Sequence, residues 1–389
     1  MYQPLRLLIL DTQCYYGGGE TYKRDVIHIL RSKGIECKVL LPKESEFRKI
    51  LLGESIPVGV IKVKNRTDFL SMIRTALQFR NEKNLLVCTT DSITWYTGVF
   101  FRWFVDCRKL IAIVHITTAM GGKSSSQWKK NVIAFIDRLW TSKYDTIICS
   151  TEFHKAILVN EGVSAEKLKV VKNTIDLNVV EKTALKKSRT DICEQYSVFP
   201  DHLLVGMFGR FGSGKDYTTL VNAIPLIISE VPKTTFVLVG SGPQLPEIKS
   251  LVRKLNIENV VRFTGFVTDD YFPLMAAVDI VANISYIEGI PYVLLDAMAL
   301  KKPIVATDVG GVHEVVHHNV NGILIPPGDL ARSSGYAKKV AHELIQLLKD
   351  KEKRRVMGEK SRAIIKNEFS MERMSRSIQE IFLGETTQS

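Results

Sequence analysis

The sequence predicts an α/β protein of two doubly wound domains, each built on a parallel sheet. Short apolar runs alternate with helical patterns along the whole chain. These runs are continuous Val, Ile and Leu rather than strict alternation, as in strands covered on both faces. Strand–helix repetition of this kind gives parallel, doubly wound sheets. The length of 389 residues also suffices for two domains, at about 100–200 residues each.

In order along the first half, strands are expected at 5–10, 37–41, 85–88, 109–114, 146–149 and 169–171, with a helix over 21–33 after the first. The stretch 176–200 breaks the rhythm with polar and charged residues (EKTALKKSRTD) and shows no apolar face. It is taken as the boundary, giving a domain over 1–190 and a second over 191–365. Strands of the second half are expected at 203–208, 235–239, 260–263, 280–283, 303–306 and 322–325. The end of the chain, 337–383, reads as two or three charged amphipathic helices, and 366–389 as a C-terminal helix packing back on the first domain.

Composition narrows the function. No apolar run approaches the ~18 residues of a membrane span, and the opening MYQPLRLLILDTQ reads as a buried strand rather than a secretory signal. A cytoplasmic location is therefore expected, peripheral on the inner membrane face if the chain meets lipid. Cys14, Cys37, Cys88, Cys107, Cys149 and Cys193 form no C-x-x-C and have no His at metal spacing. They read as buried free thiols, and no metal site is expected. The formal net charge of +12 favours acidic partners: nucleic acid, anionic lipid headgroups or phosphorylated small molecules. Without a zinc-finger, RRM-like or helix-turn-helix pattern, nucleic acid ranks last. Two stretches, 99–109 and 127–144, mix aromatic residues with Lys and Arg. They fit either a core-facing stripe with snorkelling cations or a face lying on anionic membrane.

Ligands of parallel sheets bind outside the carboxyl ends of the strands, so the loops there hold the candidate residues. The first is Gly17-Gly18-Gly19-Glu20, before the first helix. Its glycines let a backbone approach a ligand, or simply make a turn, and the helix N-terminus favours an anion. The second is 209–216, GRFGSGKD. Read literally it is a P-loop with Asp216 where a magnesium-binding hydroxyl belongs, and a carboxylate there repels phosphate. Arg210 and Lys215 remain suited to clamping a diphosphate. The third runs from Ser285 to Gly311, with Glu288 in the loop, Pro291 placed to open a helix, and Asp296 on that helix. Two carboxylates flanking a helix N-terminus suit sugar hydroxyls beside a phosphate, although both could be ordinary acids of a helix start.

Around Glu288-x7-Asp296 stand VKNTID, GRFGSGK, VLVGSGP, VRFTGFV, DAMALKKPIVATDVGGVHEVV and NGILIPPGD. With these motifs the chain resembles the GT4 family of retaining glycosyltransferases, whose fold is GT-B: two Rossmann-like domains facing a central cleft. The family signature is E-x7-E, and Asp296 departs from it by one methylene. The resemblance covers nearly all of the second domain and marks the first thinly.

The resemblance implies that Glu288 holds a donor-sugar hydroxyl, with Gly289 and Ile290 offering backbone N–H groups. Asp296 would take the ribose, and Arg210 and Lys215 the diphosphate. Gly17 and Gly18 would close over the phosphates, and His115 would lie near the reacting sugar. The base would be read around Gly265, Phe266 and Val267, while His313 and Glu314 would be structural. It further implies a metal-free, cofactor-free reaction. In it a hexose-type sugar passes with retention from a nucleotide-sugar, UDP- ahead of GDP-, to a hydroxyl acceptor such as a lipid-linked or cell-surface polysaccharide precursor. A nucleotide-sugar 2-epimerase of the same fold and a P-loop-like nucleotide-binding protein are the alternatives.

Overall fold

The computed structural model describes residues 4–114, 138–327 and 334–384. These form two compact units, one made of Met1–Asn173 with Glu372–Ser389 and the other of Thr174–Met371.

Among the described residues the first unit holds seven strands: β1 (Arg6–Leu10), β2 (Glu36–Leu41), β3 (Val58–Val60), β4 (Leu85–Thr89), β5 (Cys107–Val114), β6 (Thr146–Cys149) and β7 (Leu168–Val170). Their order is β3-β2-β1-β4-β5-β6-β7, and every pairing is parallel, β1 lying between β2 and β4 with Leu8 opposite both Lys38 and Val87. All five residues of β4 are buried, which explains why its sequence is an apolar run without alternation. The strand absent from the sequence reading is β3. It is three residues long, carries a glycine and lies at the sheet edge, so it buries too little to need an apolar run.

The second unit holds β8 (Leu203–Phe208), β9 (Thr234–Val239), β10 (Val261–Gly265), β11 (Ile280–Asn283), β12 (Ile304–Thr307) and β13 (Gly322–Ile325). The order is β10-β9-β8-β11-β12-β13, again all parallel. Apolar layers cover both faces of this sheet. One is centred on Val205, Leu220, Phe236 and Leu344, and the other on Leu204, Val237, Leu294 and Ile304.

Each sheet reverses its strand order once, between β1 and β4 and between β8 and β11. At such a switch point the loops leave the strand ends in opposite directions and open a crevice where ligands sit.

The division between the units falls at Asn173/Thr174 rather than at 190/191. The stretch read as having no apolar face forms the helices Leu177–Ala184 and Arg189–Gln195, which bury Val180, Ala184, Ile192 and Cys193. Val180, Ile192 and Cys193 join the core of the second unit, and Arg189 donates to the carbonyls of Ala277 and His202 and to Asp279. Such a narrow stripe among so many charges is hard to see in a window average. The C-terminal region is three helices, Ser334–Lys349, Lys351–Glu368 and Met371–Leu383. From Glu372 onward the last belongs to the first unit, where Lys109 Nζ donates to the Ile381 carbonyl.

Candidate active site

In the second unit the loop after β8 is held from below. Phe211 and Tyr217 stack at 3.9 Å between centroids, both fully buried, and the Tyr217 hydroxyl donates to the Gly209 carbonyl at 2.8 Å. Gly209 takes a φ of +145° and Gly240 one of +134°; a Cβ on Gly240 would stand 1.9 Å from the Gly209 oxygen. Only glycine lets these two strand-end backbones pass so closely.

This loop is stitched to the loop after β11 by backbone bonds, Asp216 N–H to Ile284 O at 2.8 Å and Tyr286 N–H to Gly214 O at 2.9 Å. The stitching brings Lys215 to Glu288, Nζ to Oε1 at 2.6 Å, with side chains only 15% and 13% exposed. Lys215 also donates to Asn283 Oδ1. Ser285 Oγ donates to the same Glu288 Oε1 at 2.7 Å, with Asn283 Nδ2 at 3.5 Å. Among the described residues, every recorded bond to this carboxylate falls on Oε1. Oε2 is left to accept from a ligand, and an ammonium with three donors has one more to give.

The Glu288 backbone is fixed as closely. Gly310, at φ +58°, sits so near that a Cβ there would be 1.8 Å from the Glu288 oxygen, and Gly311 N–H donates to that oxygen at 3.3 Å. Pro291 is the N-cap residue of the helix Tyr292–Ala299 rather than its first helical residue, and no side chain caps this N-terminus. Gly289 is half-buried and Ile290 buried in the turn before it. Arg210 is exposed at the end of β8.

Asp216 answers the P-loop question. Its carboxylate accepts from Thr219 N–H at 3.0 Å and Thr219 Oγ1 at 2.6 Å, N-capping the helix Tyr217–Glu230. The helix end that would cradle phosphate in a P-loop is already filled by this protein's own anion.

Asp296 turns to Tyr271, whose hydroxyl donates to Oδ2 at 2.8 Å. Burial pushes its carboxyl up to about 7, against the lowering effect of the Tyr271 hydrogen bond. Tyr271 opens the helix Tyr271–Ala277, just after Gly265, Phe266 and Val267. Gly265 has a φ of +73° and its carbonyl accepts from Gly240 N–H at 2.8 Å. Phe266 is 72% exposed, while Val267 packs against the core.

In the first unit Gly17 is the N-cap of the helix Gly18–Arg31, and Gly17 and Gly18 are exposed. Beneath them lies a buried cluster that sequence reading missed. Lys23 donates to Asp11 and, at 2.8 Å, to Glu20. Burial lowers the Lys23 pKa, but Asp11 and Glu20 outweigh this and raise it. Thr12 N–H donates to Asp91 at 2.8 Å, tying the end of β1 to the end of β4 across the switch point. The Glu20/Lys23 spacing and the Asp ending the first apolar run were the available signals. His115 lies outside the described residues. Five of the six cysteines are buried free thiols, and Cys14 is exposed. Among the described residues no cluster of His, Cys, Asp and Glu is arranged to hold a metal ion.

Two parallel Rossmann-like sheets, each with its loops gathered at a switch point, define the GT-B class. A family model described as Glycosyl transferases group 1 matches residues 202–350, and one described as Glycosyltransferase Family 4 matches 16–179. Both halves of the chain thus match glycosyltransferase family models. It is similar to an N-acetyl-alpha-D-glucosaminyl L-malate synthase of Bacillus anthracis, 32% identical over 231 residues, 59% of this chain and 56% of that protein. A Campylobacter jejuni N-acetylgalactosaminyltransferase acting on a diphospho-undecaprenol-linked sugar is 26% identical over 293 residues, 75% of this chain and 72% of the relative. The chain spans about half the length of the first curated relatives it matches. Its fold is shared with Anabaena HepE in complex with UDP, at a TM-score of 0.81 and 23% identity over 98% of this chain and 100% of that one. Sucrose-phosphate synthase of Thermosynechococcus elongatus gives 0.79 and 18%, over 98% of each chain.

Proposed function

We propose that the protein is a retaining glycosyltransferase that takes a hexose-type sugar from a UDP-sugar and passes it to a hydroxyl acceptor without a metal ion. The observation that carries this reading is the Lys215–Glu288 pair at the β8/β11 switch point. One oxygen of Glu288 is held by Lys215, Ser285 and Asn283, and Oε2 would accept from a sugar hydroxyl. Lys215 Nζ, with Arg210 at the same strand end, would take the negative charge that grows on the diphosphate as the glycosidic bond breaks. Charge placed in advance where the transition state needs it is the largest single source of catalysis in such sites. Asp296 would reach the ribose, and Gly265, Phe266 and Val267 the base. Gly17, Gly18 and His115 would serve from the first unit. UDP is favoured over GDP by the UDP complex of the HepE fold relative.

The test is turnover in EDTA with UDP-glucose, UDP-N-acetylglucosamine and GDP-mannose against simple alcohol and hydroxy-acid acceptors, with the anomer of the product read by NMR. A product that keeps the donor's α configuration is expected. An inverted product, a free 2-epimerised sugar, or activity only with added divalent metal would overturn the proposal.

A further inference from the structure

Lys215 and Ser285 face each other across an isolated antiparallel bridge. The two bonds that frame it, Asp216 N–H to Ile284 O and Tyr286 N–H to Gly214 O, make them a non-hydrogen-bonded pair. In such a pair the facing residues' own N–H and C=O groups point away from each other. The Ser285 N–H therefore needs a partner on its far side, because Ser285 is fully buried and an unpaired amide there is costly. That partner is the hydroxyl of Thr307, with Ser285 N–H to Thr307 Oγ1 at 3.2 Å. Thr307 ends β12, the strand paired with β11, and is fully buried itself.

Thr307 is held in turn. The Tyr336 hydroxyl, from the first turn of the helix Ser334–Lys349, donates to the same Oγ1 at 3.3 Å. The Tyr336 ring is buried in the core layer that also holds Ile284 and Ile325. Ser285 passes its own hydroxyl proton to Glu288 Oε1 at 2.7 Å. The bonds thus run from Tyr336 through Thr307 and Ser285 to Glu288. Thr307 and Tyr336, at 0% and 4% exposure, are too buried to touch a ligand, so whatever they do for the site they do through Ser285. A buried tyrosine hydroxyl usually finds some partner. Here that partner also holds the residue that holds Glu288.

We propose that Thr307 and Tyr336 are positioning residues for the donor sugar, setting the Glu288 carboxylate through Ser285. The proposal rests on the transferase reading of Glu288. Its effect is confined to the sugar, since Lys215 is also held by Asn283 and keeps its place for the diphosphate. The test is titration calorimetry in EDTA with UDP, UDP-glucose and UDP-N-acetylglucosamine, on wild type, Thr307→Val, Thr307→Ser and Tyr336→Phe. Thr307→Val keeps the branched shape and loses the acceptor, whereas Thr307→Ser keeps the acceptor and loses a methyl. Thr307→Val should bind the UDP-sugar that wild type prefers about tenfold more weakly, the scale of one hydrogen bond to a charged group, with UDP within about twofold of wild type. Tyr336→Phe, whose ring still fills the core, should lose about threefold in the same selective way, as for a neutral bond. Thr307→Ser should bind as wild type does. A packing role predicts the opposite order, with Val tolerated and Ser impaired. That order would overturn the proposal, as would equal losses for UDP and the UDP-sugar, or a Tyr336→Phe protein that binds as wild type does. A wild type that binds neither UDP-sugar overturns the transferase reading itself, and this positioning role with it.

Discussion

Replacing Lys215 by methionine separates what the Lys215–Glu288 pair does for the fold from what it does for the reaction. Breaking a fully buried ion pair costs about 3–5 kcal/mol because the remaining charge is stranded, whereas an exposed pair is worth about 0–1 kcal/mol. At 15% and 13% exposure this pair lies nearer the buried case, but Ser285 at 2.7 Å still holds the Glu288 carboxylate. About 2 kcal/mol is therefore expected, or a fall in melting temperature of roughly 4–8 °C for a unit of this size. Catalysis should fall further, by about 10²–10³ in kcat, as for other lost donors to developing charge. In the double variant Lys215→Met/Glu288→Gln the stranded charge is gone, so stability should recover while activity does not. The assays are a thermal melt and steady-state kinetics on the same preparations. A Lys215→Met protein with wild-type melting temperature and kcat/KM would refute the reasoning, as would a double variant that regains activity along with stability.

Asp296→Asn should alter the pH dependence of stability. The folded carboxyl, raised to about 7 by burial, keeps a proton that the unfolded chain loses near pH ~4. Its contribution is complete below that pH and is lost as pH rises to 7, so the variant should gain in melting temperature over wild type between about pH 4 and 7 and keep that gain above it; parallel profiles would contradict the assignment. Gly310→Ala should lower the melting temperature and reduce activity together. The left-handed φ alone costs roughly 1–2 kcal/mol, and the added Cβ would strike the Glu288 carbonyl. A circular-dichroism melt with paired kinetics checks this, and an unchanged variant would mean that the Glu288 loop is not held there.

The strands were legible because both faces of each sheet are covered, so the code is a plain apolar run, as in Leu203–Phe208. The edge strand Val58–Val60 and the helices Leu177–Ala184 and Arg189–Gln195 were not, since each buries only a few side chains. In the site, Glu288, Lys215 and Arg210 stood out by residue type at strand ends. The supporting residues did not. Tyr217 acts through one hydroxyl on a carbonyl, Gly310 through the absence of a Cβ, and Tyr271 through a partner 25 positions away. None of these leaves a periodic or compositional trace. Asp216 could have been read as an N-cap, an acid just before a helix with Thr219 in the first turn.

The central claim is that the switch point of the second unit binds a nucleotide-sugar through Lys215 and Glu288. The most direct measurement is a thermal-shift panel of UDP, GDP, ADP and their sugar conjugates in EDTA, on wild type and Lys215→Met. A rise for UDP and its sugars in wild type, largely lost in the variant, is the result this account predicts, since a ligand at about 100 times its Kd adds ~2.7 kcal/mol to the folded state. No shift with any nucleotide-sugar, or a shift only with ATP and magnesium, would contradict it.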